Sequence, residues 1–256
     1  MPVITLFSLG GAPGVTTLAL ALAASWPQEM PTVMVEADAS GGAVAAWRHM
    51  PTSPGVVELA AAIRADDLPG PDQSGRLLRD CTQTLPGGQL VCPAPATADR
   101  AVGAVAILAR HPQALASTEA VWMVDAGRLA PRSPAARLAA ASDAALLVVA
   151  DDLAQLKRAK EALPALRGGV RRLGLVVTGH RPDGGQIGQA LGLSVLEHLP
   201  TDPKAAAFVR SGVPAAHAGR RPLLRAARSL AAALADALHP DHVPAPPSAP
   251  LRAGAA

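Results

Sequence analysis

The apolar run Val3 to Leu9 stops at Gly10-Gly11-Ala12-Pro13-Gly14 and is followed by Val15 and a helical pattern over Thr16 to Ala24. No other feature of the chain constrains its fold as strongly. A buried strand, a loop whose glycines accept left-handed backbone, and a helix whose first N–H groups lack intrahelical partners together can surround an anion. Gly-Pro turns also join strands to helices where no ligand binds, so the meaning of the loop depends on the rest of the chain.

Beyond the loop the chain alternates regularly. Short apolar runs recur at Thr32 to Val35, Gln89 to Cys92, Val121 to Val124, Ala144 to Val149, Leu173 to Val177 and Val195 to Leu199. Ala/Leu-rich segments with helical spacing separate them, at Val56 to Arg64, Asp99 to Arg110 and Leu153 to Leu166, and a last one lies at Pro222 to Leu238. Strands alternating with helices predict an α/β fold in three layers: a mostly parallel, doubly wound sheet of about seven strands covered on both faces. Residues 65 to 88 are rich in Asp, Gly and Pro and are expected to form loops and a short helix beside the sheet. One domain is expected over residues 1–239. Residues 240–256 are dominated by Pro and Ala, cannot bury enough apolar surface to order themselves, and are expected to be a disordered tail.

Composition agrees with helices packed on parallel strands. Half of the 256 residues are hydrophobic but only 2% are aromatic, with no Tyr, so the core has to be built from Ala, Leu and Val. That length buries a core without metal or disulfide staples. Cys81 and Cys92 have neither metal-site spacing nor a nearby His pair and read as isolated reduced thiols. The seven His show no ligand spacing on a shared element, which argues against a His-based metal enzyme. Met1 to Leu9 carries no basic segment and is too short for a signal peptide, and no apolar run is long enough for a bilayer, so a cytoplasmic protein is expected. A net charge of +3 permits weak contact with nucleic acid without requiring it.

The phosphate loop and the strands behind it resemble those of the ParA/MinD family of P-loop ATPases. The family loop, Lys-Gly-Gly-x-Gly-Lys-Thr-Thr, lines up with Gly10, Gly11, Ala12, Pro13, Gly14, Val15, Thr16 and Thr17. Val33-Met34-Val35-Glu36-Ala37-Asp38 resembles the second strand ending in Asp-x-Asp, with Asp38 kept and Glu36 in place of the first Asp. Val121-Trp122-Met123-Val124-Asp125 resembles the Walker B strand. Thr178 stands where the family places an adenine-reading Asn, and the stretch from Leu199-Pro200 to Gly212 is similar to the one that closes over the base. The likeness runs in order over residues 1 to 238. It implies ATP on the loop, Mg²⁺ held near Thr16, Asp38 and Asp125, a catalytic role for Asp38, and a face-to-face homodimer.

Both signature lysines are missing, replaced by Gly10 and Val15, and the chain's three Lys (Lys157, Lys160 and Lys204) all lie in its second half. Losing a charge-assisted hydrogen bond to phosphate costs about 1.5 to 3 kcal/mol of binding. Losing a preorganised donor to a developing anion costs about 10² to 10³ in rate. Nucleotide binding with weak or no hydrolysis is therefore expected, unless Arg48, Arg128 or a partner's arginine stands in. Such a protein would act as a dimeric positioning or scaffold factor for a secretion, pilus or division machine, resembling the CpaE/TadZ-like branch of the family. The alternative is an active partition-type ATPase that binds DNA nonspecifically through Arg210, Arg220, Arg221, Arg225 and Arg228. A terminal membrane-binding helix is not expected, because Pro222 to Leu238 continues the globular fold.

Overall fold

The computed structural model describes residues 2–27, 31–65, 80–115, 120–180 and 184–239. The expected disordered tail, and most of the segment expected to be irregular after residue 65, lie outside these.

Eight strands form one sheet in the order β3-β4-β2-β5-β1-β6-β7-β8. They are β1 (Val3–Ser8), β2 (Thr32–Glu36), β3 (Gln83–Thr84), β4 (Leu90–Cys92), β5 (Val121–Arg128), β6 (Ala144–Ala150), β7 (Leu173–Gly179) and β8 (Val195–Pro200). Every pairing is parallel except β3 with β4. The expected seven strands are all present. The added β3 is two residues long, lies in a stretch expected to be irregular, and gave too short a pattern to read as a strand.

Nine α-helices occur among the described residues: α1 (Val15–Ala23), α2 (Val44–Trp47), α3 (Val56–Ala65), α4 (Ala98–Arg110), α5 (Pro134–Ala141), α6 (Leu153–Gly169), α7 (Gly184–Leu191), α8 (Pro203–Ser211) and α9 (Pro222–Leu238). Central strands are buried on both faces, which is why they read as unbroken apolar runs. Ile4, Leu6, Met34, Leu146 and Val148 face a core shared with α1, α8 and α9. Their sequence neighbours point the other way, Val33 and Val35 toward α3 and α4, and Phe7, Leu147 and Val149 toward α5 and α6. This alternation makes the three layers.

α1 is apolar almost all round because it lies between the sheet and α9, and its alanines allow close approach. α9 turns Leu223, Leu224, Ala227, Leu230 and Leu234 into the same core, so its apolar face is already occupied. No helix among the described residues is long and apolar enough to cross a membrane.

The chain leaves central β1 toward β2 on one side, returns to β5 beside β1, and then crosses to β6 on the other. Such reversal points open a crevice at the carboxyl ends of the strands, and the loop after β1 stands in it.

Candidate phosphate-binding site

The loop between β1 and α1 is open, not collapsed. Gly10, Gly11, Ala12 and Gly14 have φ of 135°, 78°, 45° and 96°. Ala12 in this region carries the Cβ crowding that usually reserves it for glycine, at about 1 kcal/mol. Successive N–H groups in such backbone form an anion-binding concavity. α1 begins directly beyond it at left-handed Gly14, and no side chain caps its N-terminus. Loop and helix end bound a cavity of about 410 Å³ that also takes in Ser8, Asp38, Trp47, Gly127, Arg128 and Arg210.

Three of the sequence-predicted residues meet on one wall. The Thr16 hydroxyl hydrogen-bonds the Asp125 carboxylate, which also accepts from Gly127 N–H at 3.0 Å. Asp38 lies against Gly127, where an added Cβ would collide with its carboxylate, and its Oδ1 accepts from the N–H and hydroxyl of Ser40. Asp125 is 2% exposed. Burial pushes its carboxyl up to about 7, Thr16 and Gly127 pull the other way, and Glu36 and Asp38 add repulsion. A buried carboxylate facing a threonine hydroxyl at the mouth of an anion cradle is a donor set suited to Mg²⁺ accompanying a polyphosphate. Among the described residues no group of three His, Cys, Asp or Glu is arranged to hold a metal without such help.

Two of the departures from the family pattern, Val15 in the loop and Glu36 at the end of β2, have structural employment. Val15 packs into the core beside Leu18 and Ala19, 6% exposed, so its position favours an apolar side chain. Glu36 accepts from Ala43 N–H (2.7 Å) and Val44 N–H (2.9 Å) at the start of α2 and from Ala94 N–H (3.0 Å) after β4. It joins β2, α2 and the loop after β4, and burial raises its carboxyl above the usual value despite those three donors.

Thr178 and Pro200 do not line this cavity. They end β7 and β8, where Thr178 pairs with Leu199 and Gly179 with Pro200. β7 lies two strand spacings, about 10 Å, from β1 on the same end of the sheet. Arg48 is also elsewhere: its Nη2 donates to Val209 O at 2.6 Å and ties α2 to α8. Arg128 does reach the cavity. Arg210 and Trp47 were not expected there, nor was Arg158 over Gly10, and their helices bring them from distant parts of the sequence. A larger hollow of about 610 Å³ opens between α7 and the edge strand β8, lined by Gly185, Gly188, Gly192 and His198 and by none of the sequence-predicted site residues.

Of the five arginines in the expected DNA-binding group, three are engaged inside the fold. Arg221 pairs with Asp202 (Nη2 to Oδ1 2.5 Å, Nε to Oδ1 2.8 Å), the N-cap of α8. Burial pushes the Asp202 carboxyl up, but Arg221 and the Ala205 N–H outweigh it and hold it below the usual value. Arg228 donates to Gly219 O, and Arg210 lies over the Trp47 ring at 5.5 Å. Both cysteines are buried free thiols; burial, with Asp80 and Glu58 nearby, pushes Cys81 up to about 11.

A parallel sheet with a glycine loop leading from its central strand into a buried helix at the reversal point is the P-loop nucleotide-binding architecture. No protein-family model matches the sequence, and no curated protein is similar to it in sequence. Among solved structures it is similar to a ParA family ATPase from Chlorobium tepidum TLS, with TM-score 0.73 and 18% identity over 91% of this chain and 98% of that one. It is also similar to the cell division ATPase MinD of Pyrococcus furiosus (TM-score 0.70, 16% identity, 91% and 98% covered). A third is the septum site-determining protein MinD of Pyrococcus horikoshii OT3 complexed with Mg-ADP (0.64, 17%, 91% and 95%). The chain has the ParA/MinD-like P-loop ATPase fold.

Proposed function

We propose that the protein binds ATP with Mg²⁺ on the Gly10–Thr17 loop, hydrolyses it weakly or not at all, and works as a dimeric positioning or scaffold factor. The observation that carries this reading is the open left-handed loop over the uncapped end of α1, with Thr16 and Asp125 already joined beside it. Backbone N–H groups of the loop and of the first turn of α1 would hold the phosphates. Thr16, Asp38 and Asp125 would hold Mg²⁺, which neutralises charge on the phosphate oxygens. The solved relatives in complex with Mg-ADP, and in complex with ATP as McdA of Cyanothece, support both ligands.

Weak hydrolysis is the consequence of Val15. Its side chain belongs to the core, so the position after the last loop glycine supplies no ammonium to the transferring phosphoryl group. Such a protein signals by being bound or unbound more than by turning over. A dimer recruiting one component of a secretion, pilus or division machine fits that behaviour, and a MinC:MinD complex is among the similar structures. The partition-type reading is less well supported, because Arg210, Arg221 and Arg228 have partners within the fold.

Calorimetric titration with ATP and Mg²⁺, paired with a phosphate-release assay, tests the proposal. Micromolar binding that Thr16→Ala weakens, with no measurable release over an hour, is the expected result. Turnover of several per second, lost in Asp38→Ala, would refute the hydrolysis half; absence of binding would refute the whole.

A further inference from the structure

Gly10 occupies the place of one missing lysine, and the space its side chain would need is filled from another element. A Cβ built on Gly10 would stand 2.6 Å from Nη1 of Arg158 on α6 and 3.7 Å from Cζ of Arg128 at the end of β5. Two guanidinium groups therefore meet over the first residue of the loop. A third, Arg210 of α8, lines the same cavity together with Arg128.

These groups are held but not neutralised. Arg158 Nη1 donates a long bond to Leu9 O (3.5 Å), and Arg210 Nε donates to Ala206 O (3.3 Å) while its guanidinium lies over Trp47. None has a carboxylate within ion-pair distance among the described residues, where Arg221 with Asp202 is the one salt bridge. Asp38 is the acidic side chain in the cavity wall, and its Oδ1 is taken up by Ser40. Arg128 and Arg210 line the cavity and Arg158 stands over Gly10 in its wall; like charges gathered there repel each other, and an anion between them relieves the repulsion. The planar fork of arginine matches phosphate oxygens two at a time, which a lysine cannot do.

We propose that Arg128 and Arg158, with Arg210 beside them, supply the cationic grip that the loop itself lacks, so that this is an arginine-framed nucleoside-polyphosphate site. The inference rests on the nucleotide reading above and deepens it. The loop and α1 provide N–H donors, and the charge comes from side chains scattered along the sequence. Gly10 is small so that Arg158 can reach over it, and Gln155, one helical turn earlier on α6, lies against Gly11 with its Oε1 fixed by Ala150 N–H (3.1 Å). α6 therefore lies over the loop and presents the arginine to it.

The experiment titrates the full chain with ATP and Mg²⁺, and separately with inorganic tripolyphosphate, by calorimetry. Arg128→Ala and Arg158→Ala are each expected to raise Kd for both probes about 10- to 100-fold. The double variant should lose tripolyphosphate binding altogether, and Arg→Lys at either position should recover part of it. Arg137→Ala, an exposed charge on α5, should leave both affinities unchanged, and circular dichroism should show all variants folded. Wild-type affinity in the folded double variant would overturn the arginine assignment while leaving nucleotide binding in place. Failure of the wild-type protein to bind either probe would overturn both.

Discussion

Asp125 stores a pH-dependent cost that one atom's change can release. Its carboxyl titrates near 7 in the fold against an ordinary 3.8, because it is buried beside two other acids. The folded state thus holds this proton more tightly than the unfolded chain does, so the contribution of Asp125 to stability is fullest below about pH 4 and is lost as pH rises through 7. At 1.36 kcal/mol per unit, a shift of about three units costs about 4 kcal/mol at pH 8. Asp125→Asn removes the charge, keeps an oxygen for the Gly127 N–H, and weakens the bond from Thr16. Setting about 1 to 2 kcal/mol against that lost bond leaves a net gain of about 2 kcal/mol. For a domain of this size the melting temperature at pH 8 should rise by about 4 to 8 °C. At pH 5, where the native carboxyl is protonated, the variant should gain nothing. Thermal melts in EDTA between pH 5 and 8.5 measure this directly. A variant no more stable than the parent at pH 8, or a parent whose melting temperature is flat over that range, would refute the reasoning. The same variant should lose Mg²⁺-dependent nucleotide affinity, as expected where stability has been given up for a binding group.

Glu36→Asp would restore the carboxylate found in the family pattern, yet it should destabilise the protein by about 2 to 4 kcal/mol. The shorter side chain cannot reach Ala43, Val44 and Ala94 together, and chemical denaturation would detect the loss. Trp47 should report ligand binding. It borders the cavity, whereas Trp26 and Trp122 are 8% and 1% exposed. ATP should therefore change the intrinsic fluorescence, and Trp47→Phe should abolish that change; a signal that survives the substitution would place the ligand elsewhere. Gly127→Ala should displace Asp38, whose carboxylate occupies the space of the new methyl group. It should weaken Mg²⁺-nucleotide binding at least tenfold by calorimetry, with a loss of about 1 kcal/mol in stability for the positive φ of 60°.

The sheet was legible because buried parallel strands are unbroken apolar runs, and all seven expected ones are present. The helices α2, α5, α7 and α8 were not read. α2 has four residues, and α5 and α8 are announced by Ser133-Pro134 and Asp202-Pro203, whose cap and first-turn chemistry is a local signal that periodicity overlooks. On the site, Thr16, Asp38 and Asp125 were named because they fall at the motif positions of the family the chain resembles, and the structure brings the three close together. Arg158 and Arg210 obey no such pattern. Their place at the loop depends on how α6 and α8 pack across the ends of β6 and β8, a relation between residues about 150 and 200 positions apart that no local spacing encodes.

The three departures from the family pattern, two in the loop and one at the end of β2, have different physical consequences. Val15 moves a charged position into the core, Glu36 turns a polar one into a backbone fastening, and Gly10 leaves room for a guanidinium from α6. A loop merely decaying would be expected to lose its backbone shape as well, since left-handed Ala12 costs conformational energy without a ligand to satisfy. The shape is kept, and so is the pairing of Thr16 with Asp125. The loop and the Thr16–Asp125 pair are suited to hold a ground-state polyphosphate, while position 15 carries no ammonium to follow charge into a transition state. On the proposed reading, binding would be retained and rate surrendered, which is what a device read out by occupancy requires.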